Sequence, residues 1–399
     1  MLKKYAVLVL VASFFLVSIR TNAQDKRAQY PGLLANSYFG VNIGYINYPF
    51  TNKHLKPGYV AESVTVPHTA VRINLLGYRF NENLSAEISY TRPVNWVEYH
   101  NINGVQARKS IHMNIGGLTL RGKLPLSKKF AVSAEAGLAI VTRSGFKVNE
   151  EPVIDPVSYA SFLLGGKLQY NLNKKWELAL TTAYSPENAD AKQPATTFYS
   201  LGFNYHMRPL SQEKVERNAK SGYIWPRNLI QVGFTPKGIG YGVNNFVSEG
   251  AIPIFWGGDA QVETGFSIMY RRNVFHTKKV FSLDWGVSAS WWRTDINKDE
   301  FVTLSIFPVL QWTAIRTKAA DIYFNYSVAG PTFITKTFLD EQFTGKKFTF
   351  QDFMSMGMYA GKDRKFNAEL RIAHYSNGNI FTNNAGVKIP LTFNLGYTF

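Results

Sequence analysis

The last twelve residues of the chain alternate between apolar and polar side chains, and this pattern constrains the fold more than any other feature. Its two sets are Ile389, Leu391, Phe393, Leu395, Tyr397 and Phe399 on one face and Lys388, Thr392, Asn394, Gly396 and Thr398 on the other. A period of two residues is that of a β-strand, whose successive side chains point to opposite faces. The bulky apolar set and the small polar set therefore lie on opposite sides of one strand.

The same alternation recurs along the chain in short segments separated by turn residues. Aromatic residues make up 15% of the sequence, including 22 tyrosines, and helical periodicity is almost lacking. Beyond the N-terminus, no apolar run approaches the ~18 residues that a membrane-spanning helix needs. Segments of this kind are typical of a transmembrane antiparallel β-barrel, in which one face of each strand meets lipid and the other a polar interior. The predicted fold class is therefore all-β.

The alternating segments divide into two groups of eight. The first group is predicted at 37–47, 69–79, 84–93, 110–122, 130–143, 158–171, 176–185 and 197–207. The second is predicted at 228–242, 260–272, 281–293, 301–316, 320–332, 350–360, 366–377 and 387–399. Long and short connections alternate, as they do between the external loops and periplasmic turns of outer-membrane barrels.

Two arrangements satisfy this strand count: two tandem eight-stranded barrels, or one sixteen-stranded barrel. A polar, charged segment at 208–227 separates the groups, and "YSLGFNYHM" before it resembles the final "FNLGYTF". These features favour tandem barrels at 24–207 and 228–399, whereas the rarity of such tandems favours the single barrel. The tandem arrangement is the prediction.

The N-terminus and the composition indicate export. Two lysines precede the apolar run "AVLVLVASFFLVS", and small residues follow, so residues 1–23 are predicted to be a secretory signal peptide. The chain has no cysteine, which excludes disulfides and thiolate metal sites. Its net charge of +17 would suit nucleic acid in a cytoplasmic protein. In an exported barrel, the excess of lysine and arginine is suited to binding the phosphates of lipopolysaccharide in the bacterial outer membrane. The alternative is that these residues lie in loops and interface rings without a specific partner.

A histidine and a serine share one face of the penultimate strand. Alternation over 366–377 puts His374 and Ser376 with Phe366 and Leu370, on the face that must meet lipid. A serine beside a histidine is the minimal nucleophile and base for acyl transfer, and the following Asn377 could donate to the developing oxyanion. The alternative is an interfacial histidine beside an unreactive serine at a loop edge.

These residues resemble those of a known protein family. The second half, with His-x-Ser-Asn on its seventh strand, resembles the outer-membrane lipid A 3-O-deacylases of the acyloxyacyl hydrolase type. Asn384 and Gly386 stand at the spacing of the family's following loop. The resemblance implies an eight-stranded barrel with a lipid-facing Ser/His/acid triad that releases an ester-linked acyl chain from lipid A without a metal or cofactor. It also implies oxyanion roles for Asn377 and Asn384.

The chain departs from the family at the third member of the triad. The family's glutamate, fourteen residues after the histidine, corresponds to Lys388, which strict alternation directs into the lumen unless a bulge near Gly386 changes the register. A lysine cannot orient an imidazolium. Asp352 is the candidate replacement, because pairing residue 360 with residue 366 would place it directly opposite His374. The alternative for Asp352 is an ordinary loop-edge carboxylate.

Three functions remain open from the sequence. The first is an outer-membrane esterase acting on lipid A of the outer leaflet, with Ser376 as nucleophile and His374 as base. The second is a catalytically inactive barrel of the same family that binds or stabilises lipopolysaccharide, and the third is a passive pore.

The terminal aromatic Phe399 resembles the signal that the barrel-assembly machinery reads, and nucleic acid is not an expected partner. The segment "DINKDE" lacks the glycine and glutamate of a calcium loop.

Overall fold

The computed structural model describes residues 29–220, 222–237, 239–248 and 258–399. The predicted signal peptide, 1–23, lies outside these residues. The described chain forms two closed antiparallel barrels of eight strands each. The tandem arrangement is therefore confirmed, and the single sixteen-stranded barrel is wrong. None of the helices in these ranges is long and apolar enough to cross a membrane.

The first barrel is built from eight of thirteen strands, in the closed order β1-β13-β12-β11-β8-β7-β4-β3. The strands are β1 Ser37–Asn47, β2 Ala61–Thr65, β3 Thr69–Arg79, β4 Leu84–Pro93, β5 Val97–Ile102, β6 Val105–Ile111, β7 Met113–Pro125, β8 Phe130–Arg143, β9 Phe146–Val148, β10 Glu151–Ile154, β11 Val157–Asn171, β12 Trp176–Ser185 and β13 Thr196–His206. The long connections fold further, since β2, β5 and β6 form a three-stranded sheet and β9 pairs with β10.

The second barrel closes through pairing of its first and last strands, in the order β14-β15-β16-β17-β18-β21-β22-β23. The strands are β14 Asn228–Thr235, β15 Ala260–His276, β16 Phe281–Thr294, β17 Glu300–Arg316, β18 Ala320–Ile334, β19 Phe338–Leu339, β20 Gln342–Phe343, β21 Phe348–Ala360, β22 Phe366–Ser376 and β23 Val387–Thr398. The small hairpin β19–β20 lies in a long connection.

Short helices occupy the connections. They are α1 Gly32–Ala35, α2 Gln212–Ala219 and α3 Gly242–Ser248, with a 3₁₀ turn at Asn52–His54. Helix α2 lies within the segment predicted as a linker. The expected strand at 228–242 is too long: β14 ends at Thr235, because the next residue, Pro236, has no backbone N–H to continue the ladder. The chain beyond it carries α3 instead.

Each barrel is apolar outside and polar inside, as the alternation predicts. On β23, Leu395 is 70% exposed whereas Asn394 is 2% exposed. The lumen of the first barrel holds Arg72 between Glu87 and Glu135, at 3.0 and 2.7 Å. That of the second holds Arg271, 2.7 Å from Asp284 and 3.3 Å from Glu369. These buried ion pairs occupy part of each lumen.

Candidate active site

The outer wall of β22 carries both candidate catalytic side chains. Glu369, Arg371 and Tyr375 point into the lumen, where Arg371 pairs with Glu369 and the Tyr375 hydroxyl contacts Thr303 Oγ1 at 3.0 Å. Their neighbours in sequence, His374 and Ser376, therefore project outward. The imidazole is almost fully buried, at 1% exposure, whereas Ser376 is partly exposed. The hydroxyl is thus the member of the pair that is accessible from the lipid side.

Asp352 lies where the predicted register puts it. The turn after β21 pairs Ala360 with Phe366, and further along the same ladder Asp352 is the direct partner of His374. The carboxylate Oδ2 is 3.4 Å from the imidazole Nδ1, and Asp352 is 5% exposed. This separation is slightly longer than a well-formed N–H···O hydrogen bond. A small side-chain rotation would close it, as in many sites without substrate.

A bulge in β18 holds the aspartate in place. The ladder between β18 and β21 shifts register between Ser327 and Gly330, and within the bulge Ala329 adopts φ 52°. This irregular backbone directs the Ala329 N–H to Asp352 Oδ1, at 2.5 Å. One carboxylate oxygen is therefore fixed by backbone and the other faces the histidine. Gly330 and Pro331, at and after the end of the bulge, were the available signal in the sequence, since glycine and proline inside a strand often mark a bulge.

Lys388 faces the outer wall, not the lumen. The β22–β23 register shifts between Arg371 and Ala373, so Ala373 pairs with Ile389 and His374 pairs with Lys388. Ala373 and Ile389 belong to one buried cluster inside the barrel, which leaves Lys388 outside. Strict alternation failed here because the bulge lies at 390–391, further along β23 than Gly386. Pro390 was the available signal, since proline inside a strand often marks a bulge.

Helix α3 covers the wall beside this pair of strands. Because β14 ends early, the upper part of β23 has no β14 partner, and the Asn244 Nδ2 donates to the carbonyls of Ile389 and Ala373, at 2.7 and 3.3 Å. The Lys388 Nζ donates to Asn245 Oδ1, at 2.8 Å. The lysine charge is thereby held by the helix. Sequence reasoning missed α3, because it predicted a strand as far as residue 242 and no element over the residues that follow, whereas a helix of seven residues begins there.

The two amides expected at an oxyanion site are engaged within their own loop. The Asn377 Nδ2 donates to the carbonyls of Thr344 and Asn383, at 3.3 and 3.2 Å. Asn384 Oδ1 accepts the backbone N–H of Asn377, at 2.7 Å, and Asn384 Nδ2 donates to Asn379. Both hydrogens of the Asn377 amide and one hydrogen of the Asn384 amide are used in these contacts, and an oxyanion role for either residue stays a prediction. Both amides brace the chain directly after Ser376.

The first barrel lacks an equivalent constellation in the corresponding strand. The segment "AYSPEN" places Ala183 and Ser185 on one face of β12, but both are buried, at 6% and 2% exposure, in the lumen. The alanine stands where the second barrel has its histidine. Among the described residues no group of three or more His, Cys, Asp or Glu side chains has the geometry of a metal site. Ser376, His374 and Asp352 all lie on the outer wall of the second barrel, where Asp352 pairs with His374.

Comparison with protein families matches each barrel separately. Residues 261–398 match the family described as Lipid A 3-O-deacylase (PagL). Residues 9–206 match the Outer membrane protein beta-barrel domain. Together with the fold, these matches show an outer-membrane β-barrel protein. The search of curated proteins gave no significant match.

Solved structures of eight-stranded outer-membrane proteins are similar to single barrels of this chain. The outer membrane enzyme PagL is 13% identical, covering 43% of this chain and 99% of that one, with a TM-score of 0.31. Neisserial surface protein A is 13% identical, covering 43% and 97%, with a TM-score of 0.29. The N-terminal barrel of OprF from Pseudomonas aeruginosa is 14% identical, covering 43% and 96%, with a TM-score of 0.28.

Proposed function

We propose that the C-terminal barrel, which over residues 261–398 belongs to the lipid A 3-O-deacylase family, is an outer-membrane serine esterase that removes an ester-linked acyl chain from lipid A of lipopolysaccharide. Ser376 is the nucleophile, His374 the base and Asp352 the acid that orients the imidazole. The observation that carries the proposal is the direct cross-strand pairing of Asp352 with His374 on the lipid-facing wall.

The height of the pair on the barrel suits this substrate. The C-terminal strand of an outer-membrane barrel ends in the periplasm, so β22 ascends toward the cell surface. Its 11 residues, at ~3.3 Å each and a tilt of ~40°, rise about 25–28 Å, the thickness of the apolar band. Ser376 at its upper end therefore lies at the boundary between acyl chains and headgroups. The acyl-ester bonds of lipid A lie at that depth in the outer leaflet.

The chemistry follows from the three side chains. With Nδ1 directed to Asp352, the His374 Nε2 takes the Ser376 proton as Oγ bonds to the ester carbonyl carbon. The tetrahedral intermediate collapses by breaking the bond to the sugar oxygen, which leaves as a hydroxyl with the proton from His374. Water, activated by the same imidazole, then hydrolyses the acyl-serine and releases a fatty acid. Burial strengthens the attraction between the aspartate and the transient imidazolium.

The proposed acid lies on β21, whereas the family's acid corresponds to a position on β23, the other strand that pairs with β22. The family's acid follows the histidine in sequence and corresponds to Lys388 on β23, whereas Asp352 reaches the same imidazole from β21. The nearby lysine charge opposes formation of an imidazolium, but Asn245 holds its ammonium group. Asn377 and Asn384, in this proposal, position the loop that follows the nucleophile. Phe399, at the end of the chain, is proposed to take part in recognition by the barrel-assembly machinery.

One observation favours a second candidate, an inactive barrel that binds or stabilises lipopolysaccharide. Lys388 on the outer wall puts a cation directly beside His374 in the ladder, where the family has an acid. A cation at the interface suits the phosphates of lipopolysaccharide. The two candidates share the ligand and differ in whether the ester bond is cleaved.

Mass spectrometry of lipid A from cells that express the protein separates them. The esterase predicts lipid A lighter by one acyl chain with the wild type and unmodified lipid A with Ser376→Ala. Ser185→Ala, which removes the lumen-facing serine at the corresponding place in the first barrel, is the matched control and should behave as wild type. Identical lipid A with the wild type and Ser376→Ala would contradict the esterase and favour the inactive barrel.

A further inference from the structure

The outer wall of the first barrel has a polar band where lipid-facing residues should be apolar. Asn114, Thr142 and Ser158 are neighbours across β7, β8 and β11, since Asn114 pairs with Thr142 and Thr142 with Ser158. Lower on the same faces, Leu118 and Leu138 are 54% and 58% exposed, as expected toward lipid. Polar groups in contact with acyl chains are unfavourable. The band therefore requires a polar partner.

Part of this partner is the loop that follows the candidate nucleophile. The hydroxyls of Thr142 and Ser158 both donate to the carbonyl oxygen of Ile380, at 2.7 and 3.0 Å. Ile380 belongs to the loop 377–386, which begins directly after Ser376. The first barrel is thus attached to the second beside its candidate active site. This contact gives the N-terminal half a role beyond that of a separate membrane anchor.

A cavity of about 320 Å³ lies along this contact, and both barrels line it. The first barrel contributes His112, Asn114 and Thr142, and the second contributes Asn379, Phe381 and Asn384. His112 is stacked on Trp96, with ring centroids 4.2 Å apart. The volume falls at the lower end of the range for small-molecule sites. Amide and hydroxyl groups, which both donate and accept hydrogen bonds, dominate its polar lining.

Asn114 indicates that this cavity is built for a ligand. The residue is 5% exposed, and among the described residues its Oδ1 accepts no hydrogen bond. A buried amide oxygen without a donor is costly, so a ligand that supplies a hydroxyl or N–H would be stabilised there. On the opposite wall, Asn384 is one hydrogen bond from the backbone of Asn377, the residue after Ser376. The cavity is therefore coupled to the nucleophile through the loop.

We infer that the cavity between the barrels binds the sugar headgroup of the acylated glycolipid, so that the first barrel determines which lipids reach Ser376. This inference rests on the proposed function for the identity of the lipid. Sugar hydroxyls match the mixed donors and acceptors of the lining, and the ring of His112, which lines the cavity, offers a flat surface of the kind sugar rings pack against. A phosphatidylcholine with the same acyl chains lacks the sugar and has no hydroxyl or N–H to donate to Asn114.

Binding measured without catalysis tests the inference. The full chain with Ser376→Ala, reconstituted in nanodiscs, is titrated with lipid A and with a phosphatidylcholine of matched acyl length. Adding Asn114→Ala should weaken lipid A binding about tenfold, as expected for one lost buried hydrogen bond, and leave phospholipid binding unchanged. Thr182→Val, a polar-to-apolar change on the lipid-facing side of β12, is the control and should change neither affinity.

A second variant tests the attachment itself. Thr142→Val with Ser158→Ala removes both hydroxyl donors to Ile380 while leaving an ordinary apolar wall, and it should weaken lipid A binding at least as much. Equal lipid A affinity in all variants, or an equal loss for both lipids with Asn114→Ala, would overturn the inference. Binding that disappears with dephosphorylated lipid A and ignores Asn114 would also overturn it, in favour of an anion site. Because every variant carries Ser376→Ala, an absence of esterase activity leaves these results interpretable.

Discussion

Asp352 and His374 are direct cross-strand partners on the lipid-facing wall of the second barrel, with the carboxylate 3.4 Å from the imidazole Nδ1. The pairing follows from the regular register between β21 and β22, which is set by the tight turn that joins them. The orientation of the carboxylate is set by the bulge around Ala329. His374 therefore has a carboxylate partner on β21, whereas its partner on β23 is Lys388. The acid and the base belong to two strands that neighbour each other in sequence.

Asp352→Asn should lower kcat for release of the acyl chain about 10²- to 10⁴-fold, with little change in KM. The amide keeps the shape of the side chain but cannot stabilise the positive charge on His374. The measurement is the initial rate of fatty acid release from lipid A in vesicles. Asp190→Asn, in an exposed loop of the first barrel, is the control. An Asp352→Asn enzyme with full kcat would remove Asp352 from the triad.

Lys388→Glu should restore activity to the Asp352→Asn enzyme. Lys388 also pairs with His374, from β23, so glutamate there would supply a carboxylate from the other side of the imidazole. We expect recovery of roughly tenfold or more in kcat over Asp352→Asn alone. Lys388→Gln in the same background removes the cation without adding an acid and should recover less. Equal rates for the glutamate and glutamine variants would show that no carboxylate acts at this position.

The strands and their faces could be predicted from the sequence because one face of each strand meets lipid, so apolar and polar residues alternate along it. All sixteen barrel strands lie near their predicted ranges, and the turn at 361–365 fixed the register of Asp352. A tight turn allows few strand registers, so counting residues outward from it was sufficient to predict which residues pair. The segment 208–227 lies between β13 of the first barrel and β14 of the second.

The irregular features could not be read in the same way. Strict alternation misplaced Lys388 because a bulge at 390–391 reverses the facing of the residues on its far side. Strand β14 is shorter than predicted because Pro236 stops the ladder, and the helix α3, whose Asn244 donates to the carbonyl of Ile389, was not predicted. The roles of Asn377 and Asn384 depend on which hydrogen bonds the loop satisfies internally. That is a property of its folded shape and not of its spacing.

Ala329→Gly should stabilise the second barrel by up to about 1 kcal/mol. Ala329 adopts φ 52°, a left-handed conformation that glycine tolerates better than alanine. Glycine keeps the N–H that binds Asp352, so activity should be retained. Ala329→Val should destabilise the barrel by more than about 1 kcal/mol, because a β-branched side chain is strained there. Urea unfolding in lipid vesicles measures both, and a valine variant as stable as wild type would exclude the bulge.

Glu369→Ala should destabilise the second barrel by about 3–5 kcal/mol, because it leaves the buried Arg371 guanidinium without the carboxylate that pairs with it. Glu369 is fully enclosed in the lumen, where it contacts Arg271 at 3.3 Å and the Tyr323 hydroxyl at 2.9 Å. The same urea titration reports the effect. Glu82→Ala, in an exposed turn of the first barrel, should change stability by less than about 0.5 kcal/mol. Similar stability of the two variants would contradict a lumen filled by ion pairs.

The release of fatty acid from purified lipid A tests the central claim most directly. Full-length protein reconstituted in vesicles is incubated with lipid A, and ester-linked and amide-linked acyl chains are counted by mass spectrometry. The wild type should remove one ester-linked chain and no amide-linked chain, Ser376→Ala should remove none, and Asp352→Asn should act roughly a hundredfold or more slowly. Lipid A left intact by the folded wild type, or cleaved equally well after Ser376→Ala, would contradict the account.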